Sequence, residues 1–282
     1  MKELRGKRAL VTGSGSGLGR ALALALAGEG CWVGIADINE AGAGETLGMV
    51  EGAGGKGAAC RVDVTDPASV REMAERFERE WGGIDLLVNN AGIAVAGLVG
   101  DMPLAEWRRI VAVNLMGVVH GCHEFIPRMR ERGGGHIVNI ASFAGIGNLA
   151  EMAAYNVTKA AVISLSETLR MELAPARIGV TVVCPLFFKT GLIEGMTVTD
   201  AFQEEFARAC FECSRTSAEE VAAKIVRAVK RGRFYLIPQR SGKVMWVLKR
   251  ISPSAFNGTA ALLNRVGLGR SLMMKAARRG LL

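Results

Sequence analysis

Long apolar runs are missing from this chain. No stretch of about 18 apolar residues occurs, so no helix is expected to span a bilayer. The N-terminus, "MKELRGKRALVTG", passes from a short basic lead straight into a strand-like run. It lacks the apolar region of a secretory leader. This predicts a cytoplasmic protein, or one held peripherally at the cytoplasmic face of a membrane. Metal-ligand groupings are missing as well. The histidines His120, His123 and His136 are not spaced for a metal, and Cys210 and Cys213 form a lone C-x-x-C without a second pair. A zinc site takes about four ligands, so no metal is expected. Cys31, Cys60, Cys122 and Cys184 lie scattered in apolar segments, as reduced core cysteines do. Acids are absent from the last stretch: residues 230–282 hold 12 basic side chains and no acidic one. The preceding 229 residues carry all 27 acids and the other 23 of the 35 bases, so the net charge of +8 belongs to the tail.

What is present suits a large core. Half of the 282 residues are hydrophobic and 22% are charged, a globular composition rather than a disordered one. Short β-branched runs at 8–13, 31–37, 58–64, 84–90, 135–142, 178–185 and 233–238 read as strands. Each is nearly continuously apolar, as a strand covered on both faces is. Helical patterns lie between them, at about 17–30, 40–52, 67–81, 104–131, 152–175 and 217–231. This alternation predicts an α/β fold: one doubly wound domain over 1–238, with a parallel seven-stranded sheet and helices on both sides. Residues 239–282 are expected to form a basic, partly helical C-terminal extension.

The first predicted strand ends in "TGSGSGLGRALALALAGEG". Gly13, Gly15, Gly17 and Gly19 stand between strand and helix, with Ser16 and Leu18 in the same loop. Glycine allows the sharp turn and the close approach of a pyrophosphate, and the helix N-terminus offers free N–H groups to the anion. The strand-loop-helix context points to dinucleotide binding. Asp37 closes the second strand about 20 residues on, where an acid accepts hydrogen bonds from ribose hydroxyls. Its charge would repel a 2′-phosphate, and no Arg or Lys lies in 32–55 to hold one. NAD(H) is therefore expected over NADP(H). The alternative role for Asp37 is to cap the following helix.

"AAYNVTKAAV" holds Tyr155, one of only two tyrosines, and Lys159 four positions later. Residues at i and i+4 share a helix face, and both side chains can bury a stem and wet a tip. The pair gains meaning from its company: "TGSGSGLG" at 12–19, "DV" at 63–64, "NNAG" at 89–92, Asn114 in "VAVNLMG", Ser142 in "IVNIAS" and "YNVTK" at 155–159. In this order the motifs resemble the short-chain dehydrogenase/reductase family, in its branch built on a single Rossmann-type domain. The resemblance spans roughly residues 5–240.

The resemblance implies a catalytic set of Asn114, Ser142, Tyr155 and Lys159. Tyr155 would exchange a proton with the reacting oxygen. A free tyrosine titrates near 10, and a nearby ammonium favours the phenolate, so Lys159 is expected to lower the Tyr155 pKa. Lys159 would also hold the nicotinamide ribose. Ser142 would bind the reacting oxygen, and Asn114 would support a water that relays protons from the lysine. Hydride transfer itself belongs to the cofactor. The family pattern also puts Asp63, beside Val64, at the adenine, and Asn89 and Gly92 in the cofactor groove. Asn90 and Ala91 fall beside the cofactor or brace the central strands. Pro185 and Thr190 belong near the carboxamide. One departure stands out: Leu186 replaces the glycine that usually follows this proline, which makes the local loop shape an open question.

Ile93, Val95, Phe143, Leu149, Met152, Leu186, Phe187, Phe188, Leu192, Met196 and Phe202 should reach the substrate side, some of them as core. An apolar pocket suits a lipophilic ketone or secondary alcohol. The 187–216 excursion could act as a lid. Two alternatives are weaker: reduction of 3-oxoacyl thioesters, against which Asp37 speaks, and non-catalytic NAD-binding regulation, in which loss of Tyr155 or Lys159 would be expected although both are intact. A nucleic-acid partner is not expected, because the tail lacks a groove-reading pattern. A homo-oligomer, dimer or tetramer, is expected from the resemblance. The tail mixes cations with Trp and Leu, so it should either pack on the domain or contact an anionic membrane.

Overall fold

A computed structural model describes residues 1–189 and 195–281. Strand and helix alternate from the start: β1 (Arg8–Thr12), α1 (Gly17–Gly28), β2 (Trp32–Asp37), α2 (Glu40–Gly52), β3 (Lys56–Arg61), α3 (Pro67–Trp81) and β4 (Leu86–Asn89). A short β5 (Val95–Ala96) precedes α4 (Leu104–Val111), α5 (Gly117–Glu131), β6 (Gly135–Ile140), α6 (Ala144–Gly147), α7 (Ala153–Glu172) and β7 (Ile178–Val183). Then follow β8 (Thr197–Val198), α8 (Ala201–Glu212), α9 (Ala218–Lys230) and β9 (Tyr235–Leu236). The extension is three helices: α10 (Arg240–Ile251), α11 (Pro253–Arg265) and α12 (Gly269–Arg278).

Seven strands pair in parallel in the order β3-β2-β1-β4-β6-β7-β9. One face carries α1, α2 and α9, whose Leu22, Leu26, Val50, Val221 and Ile225 are buried against it. The other carries α3, α5 and α7, with Phe77, Phe125, Met129 and Val162 buried. Burial on both faces is why the strands read as unbroken apolar runs. The sequence of α3 shows how local chemistry sets an element. Asp66 caps it by accepting from Ala68 N, Pro67 opens it, and Gly82 at φ 69° ends it. Val70, Met73, Ala74 and Phe77 form its buried stripe. Phe77 seats where a Cβ on Gly34 would come within 2.8 Å of its ring.

The strand order reverses between β1 and β4, which opens a crevice beyond their carboxyl ends. Two expected boundaries changed. β9 has only two residues, because it pairs with β7 alone at the sheet edge. The single helix expected over 104–131 is interrupted by a π-helical turn, Ala112–Met116, with Asn114 at its centre. Such turns accommodate an extra residue and collect at functional sites. By length and apolarity this stretch could cross a membrane. Ile110, Val118, Phe125 and Met129 from it are instead buried inside the domain.

A buried amide chain ties the central strands to α7. Asn89 Nδ2 donates to Asn139 Oδ1 at 2.9 Å, and Asn139 Nδ2 donates to Ser166 Oγ at 3.0 Å. Removing the middle member leaves the buried Asn89 amide with only a weak contact to Cys122 Sγ at 3.6 Å. Asn139→Ala should therefore cost about 1–3 kcal/mol. It should appear as a lower denaturant midpoint at unchanged slope.

Candidate active site

The loop after β1 turns through Gly13 (φ 64°) and Gly17 (φ 51°), left-handed backbone that side chains rarely adopt. A Cβ on Gly13 would stand 2.7 Å from Ala91 Cα, so this loop touches the loop after β4. Thr12 Oγ1 accepts from Asn90 N at 3.1 Å and from Ala91 N at 3.2 Å. Asn90 Nδ2 donates to Thr12 O and Gly13 O, both at 2.9 Å. Ser16 is the N-cap of α1, yet its side chain caps nothing, and the first turn holds no acid. The amides there are free for an anion.

A cavity of about 500 Å³ starts at this loop, lined by Gly13, Ser16, Gly17, Leu18 and Gly19. It passes Asp37, Asp63 and Val64, then Asn90, Ala91 and Gly92, and ends at Tyr155, Lys159 and Pro185. Asn90 and Ala91 thus both line the groove and brace the strands. Asn89 does not line it: it is buried at 3% exposure, and its side chain points at Asn139 and Gly121 on the opposite side of β4. Strand alternation sends neighbouring side chains to opposite faces, and Asn90 takes the groove side. Thr190 lies outside the described residues.

Asp37 Oδ2 accepts from Gly15 N at 2.7 Å and Oδ1 from Asn39 N at 2.9 Å. The α2 cap is Asn39, which accepts from Gly42 N, so Asp37 is left to the loop and the cavity. The nearest cation to this loop, Arg20, pairs with Glu45 at 2.8 Å and bonds to Gly15 O.

Tyr155 and Lys159 stand on α7, buried at 9% and 4% exposure. Lys159 Nζ donates to Ile140 O at 3.0 Å and lies 5.7 Å from the Tyr155 ring centre. The expected depression of the Tyr155 pKa by Lys159 does not appear. Burial raises the phenol above its ordinary value, and the Ser142 hydroxyl pulls it partly back. Burial instead lowers Lys159, to about 8. Dehydration acts on both groups at once, and at this distance it outweighs their attraction. Asn114, fully buried, grips one backbone unit: its Oδ1 accepts from Ile93 N at 2.8 Å and its Nδ2 donates to Ile93 O at 2.9 Å. A methyl on Gly92 would stand 3.2 Å from Asn114 Oδ1 and 3.4 Å from Lys159 Nζ, which puts these groups on one wall.

A second cavity, about 140 Å³ and almost wholly apolar, shares Tyr155, Pro185 and Phe188 with the first. Ser142, Phe143, Leu149, Met152, Leu186, Phe187, Met196 and Phe202 line it too. Ile93 belongs to the first cavity, Val95 is core within β5, and Leu192 lies outside the described residues. The excursion after β7 adds Phe206 and Phe211 from α8, each edge-on to Phe187 at 6.0 and 5.4 Å.

Among the wall residues that sequence reasoning missed are Met245, Phe256 and Met273, one from each helix of the extension. The apolar spacing of the tail was the only signal for them. The extension is keyed to the Leu186 departure. Gln239 accepts from Leu186 N at 3.1 Å and donates to Phe187 O at 3.4 Å. The Leu186 side chain fills the room that a Cβ on Gly242 would need, beside Ile237 and Phe143. Its backbone avoids the left-handed region, so the loop is unstrained without glycine. Arg270 of α12 binds both Glu151 oxygens at 2.9 Å and Asp200 at 2.6 Å.

Glycine loop, reversal crevice and buried Ser-Tyr-Lys group define a class. The short chain dehydrogenase family model matches residues 7–201, and the chain belongs to that family. It is 38% identical over 261 residues to the probable oxidoreductase EphD of Mycobacterium tuberculosis, across 89% of this chain and 44% of EphD. The chain thus spans less than half the length of that relative. It is 32% identical over 262 residues to the ketoacyl reductase HetN of a Nostoc species, covering 90% of this chain and 88% of HetN. A crystal structure of a short-chain dehydrogenase/reductase from Burkholderia phymatum in complex with NAD superposes with a TM-score of 0.86 at 31% identity, covering 90% and 96% of the two chains.

Two measurements test this geometry. A lysine ordinarily titrates near 10.5 and Lys159 near 8, so between those values the unfolded chain holds the extra proton and stability rises with pH. Below about pH 8 the buried charge opposes folding in full. Lys159→Met should therefore be more stable than the wild type at pH 7, by at most about 3 kcal/mol. Paired melts should show that gap closing towards pH 10. Gly242→Val should destabilise by about 1–3 kcal/mol through overpacking. In a double-mutant cycle, adding Leu186→Ala should recover part of that loss.

Proposed function

We propose that this protein interconverts a lipophilic secondary alcohol and its ketone with NAD(H). One observation carries the reading: Tyr155 stands in the wall common to the long polar cavity and the apolar pocket. The glycine cradle and the uncapped α1 N-terminus fit a pyrophosphate. Asp37 faces the same cavity with no unpaired cation beside it, which suits ribose hydroxyls and opposes a 2′-phosphate. The likeness to a solved relative in complex with NAD supports this choice.

The nicotinamide, when bound, supplies or accepts the hydride. The chain's own residues handle the proton and the oxygen. Ser142 holds the reacting oxygen and stabilises its developing charge. Tyr155, kept protonated by burial, donates its hydroxyl proton to a ketone oxygen, and in the reverse direction its phenolate receives the alcohol proton. Lys159 anchors the ribose and reprotonates the tyrosine path, and Asn114 holds the adjoining wall in place. The apolar walls exclude water and orient an apolar substrate. A second reading, reduction of a 3-oxoacyl thioester, is favoured by the similarity to the Nostoc ketoacyl reductase.

A panel of lipophilic ketones, alcohols and 3-oxoacyl thioesters, assayed with both nicotinamide cofactors, separates the two. Free ketones should give the higher kcat/KM, and NADH should outperform NADPH. Asp37→Ala with Ile38→Arg should shift the cofactor ratio towards NADPH. Tyr155→Phe should bind NADH normally and lose about 10²–10⁴-fold in kcat. A wild-type preference for NADPH would sink the role given to Asp37.

A further inference from the structure

We propose that α10 and α11 form a docking face for an anionic lipid bilayer. Val244, Val247, Leu248 and Ile251 recur at i, i+3, i+4 and i+7 on α10, and they are 59%, 49%, 54% and 75% exposed. That spacing makes one continuous stripe. The stripe faces outward because the rest of α10 is engaged by the domain. Met245 lines the apolar pocket, Trp246 lies 5.8 Å from the Tyr235 ring, and Lys249 Nζ donates to Ile146 O at 2.5 Å. The next helix, α11, has no fully buried residue, and only Phe256 and Leu263 on it are half-buried. Leu262 on it, with Val266 and Leu268 just beyond, is more than half exposed. The apolar stripe of α10, continued by exposed Leu262, Val266 and Leu268 at and just beyond the end of α11, marks an interaction surface.

Charge selects the occupant. The extension contains no acid. Arg270 and Arg278 are spent on Glu151, Asp200 and Glu205. Arg240, Lys243, Arg250, Arg265, Lys275 and Arg279 pair with no carboxylate among the described residues. A second copy meeting this face across a two-fold axis would set cations against cations. Bare aliphatics flanked by unpaired cations match the two layers of an anionic interface: acyl chains for the stripe, phosphates for the charges. Phe256 reaches from α11 into the apolar pocket, so the docked face lies over that pocket.

The test is co-sedimentation of the full chain with vesicles of phosphatidylcholine alone or mixed with phosphatidylglycerol. Binding should be more than about tenfold stronger to the mixed vesicles and should fall at high salt. Val247→Glu with Leu248→Glu, which touches neither cavity, should lose at least about tenfold of that binding. Its circular dichroism, melting temperature and mass in solution should stay at wild-type values. Three results would overturn the proposal. One is a wild type that ignores the mixed vesicles at low salt. Another is a double variant that binds as well as the wild type, since charge alone then suffices and an acidic protein surface becomes the better partner. The last is a wild-type oligomer that the double variant dissociates, which would make the stripe a subunit contact.

Discussion

The site depends on how closely two strand-end loops approach each other. β1 and β4 are neighbours in the sheet although two strands and three helices separate them in sequence. Their carboxyl ends meet at Gly13 and Ala91, where no side chain fits between them. The Asn90 amide and the Thr12 hydroxyl close that contact with four hydrogen bonds. A wider junction would turn the free amides of α1 away from the cavity they face. The Tyr155-Lys159 pair hangs from the same centre. β4 is joined to β6 and α7 through the buried Asn89–Asn139–Ser166 chain, and α7 carries Tyr155 and Lys159.

Much of this was legible in the sequence, for physical reasons. Strands covered on both faces must be apolar throughout, so the seven runs stood out, and with parallel pairing they imply the doubly wound sheet. The glycine loop stood out by its strand-loop-helix context, and the Ser142-Tyr155-Lys159 group only through the family resemblance that the ordered motifs carry. Other features were hidden. Helical periodicity across 104–131 does not register one extra residue, so the π turn at Asn114 looked like unbroken helix. Asn89 and Asn90 are chemically identical, and only the pleat decides which one meets the groove. The direction of the Tyr155 shift depends on how dehydrated the phenol is, a property of the whole fold. The share of the extension in the pocket is a long-range packing fact with no local motif.

Two kinds of environment meet at Tyr155. On one side lies a long cavity with carboxylates, amides and a lysine, and on the other a small pocket of aromatic, Met and Leu side chains. A buried ammonium and a buried phenol are both costly to hold there. The fold meets that cost with few groups: the Ile140 carbonyl for Lys159 and the Ser142 hydroxyl for Tyr155. Lys159 is thereby held closer to neutral pH than a surface lysine, so small changes in its surroundings change its charge.

The exchange of room between positions 186 and 242 also couples two distant parts of the chain. This chain carries a leucine after the proline, and the space that its side chain takes is left open at Gly242, more than fifty positions later, in a helix outside the family's matched region. Neither state is neutral alone. A side chain at 242 would meet Leu186, and removing the Leu186 side chain opposite Gly242 would leave a hole. Substitutions at the two positions are expected to be energetically coupled, and the packing of the extension is bound to that of the Rossmann-type domain. Grafting the helices of one lineage onto the core of another would break a fit that neither half reveals by itself.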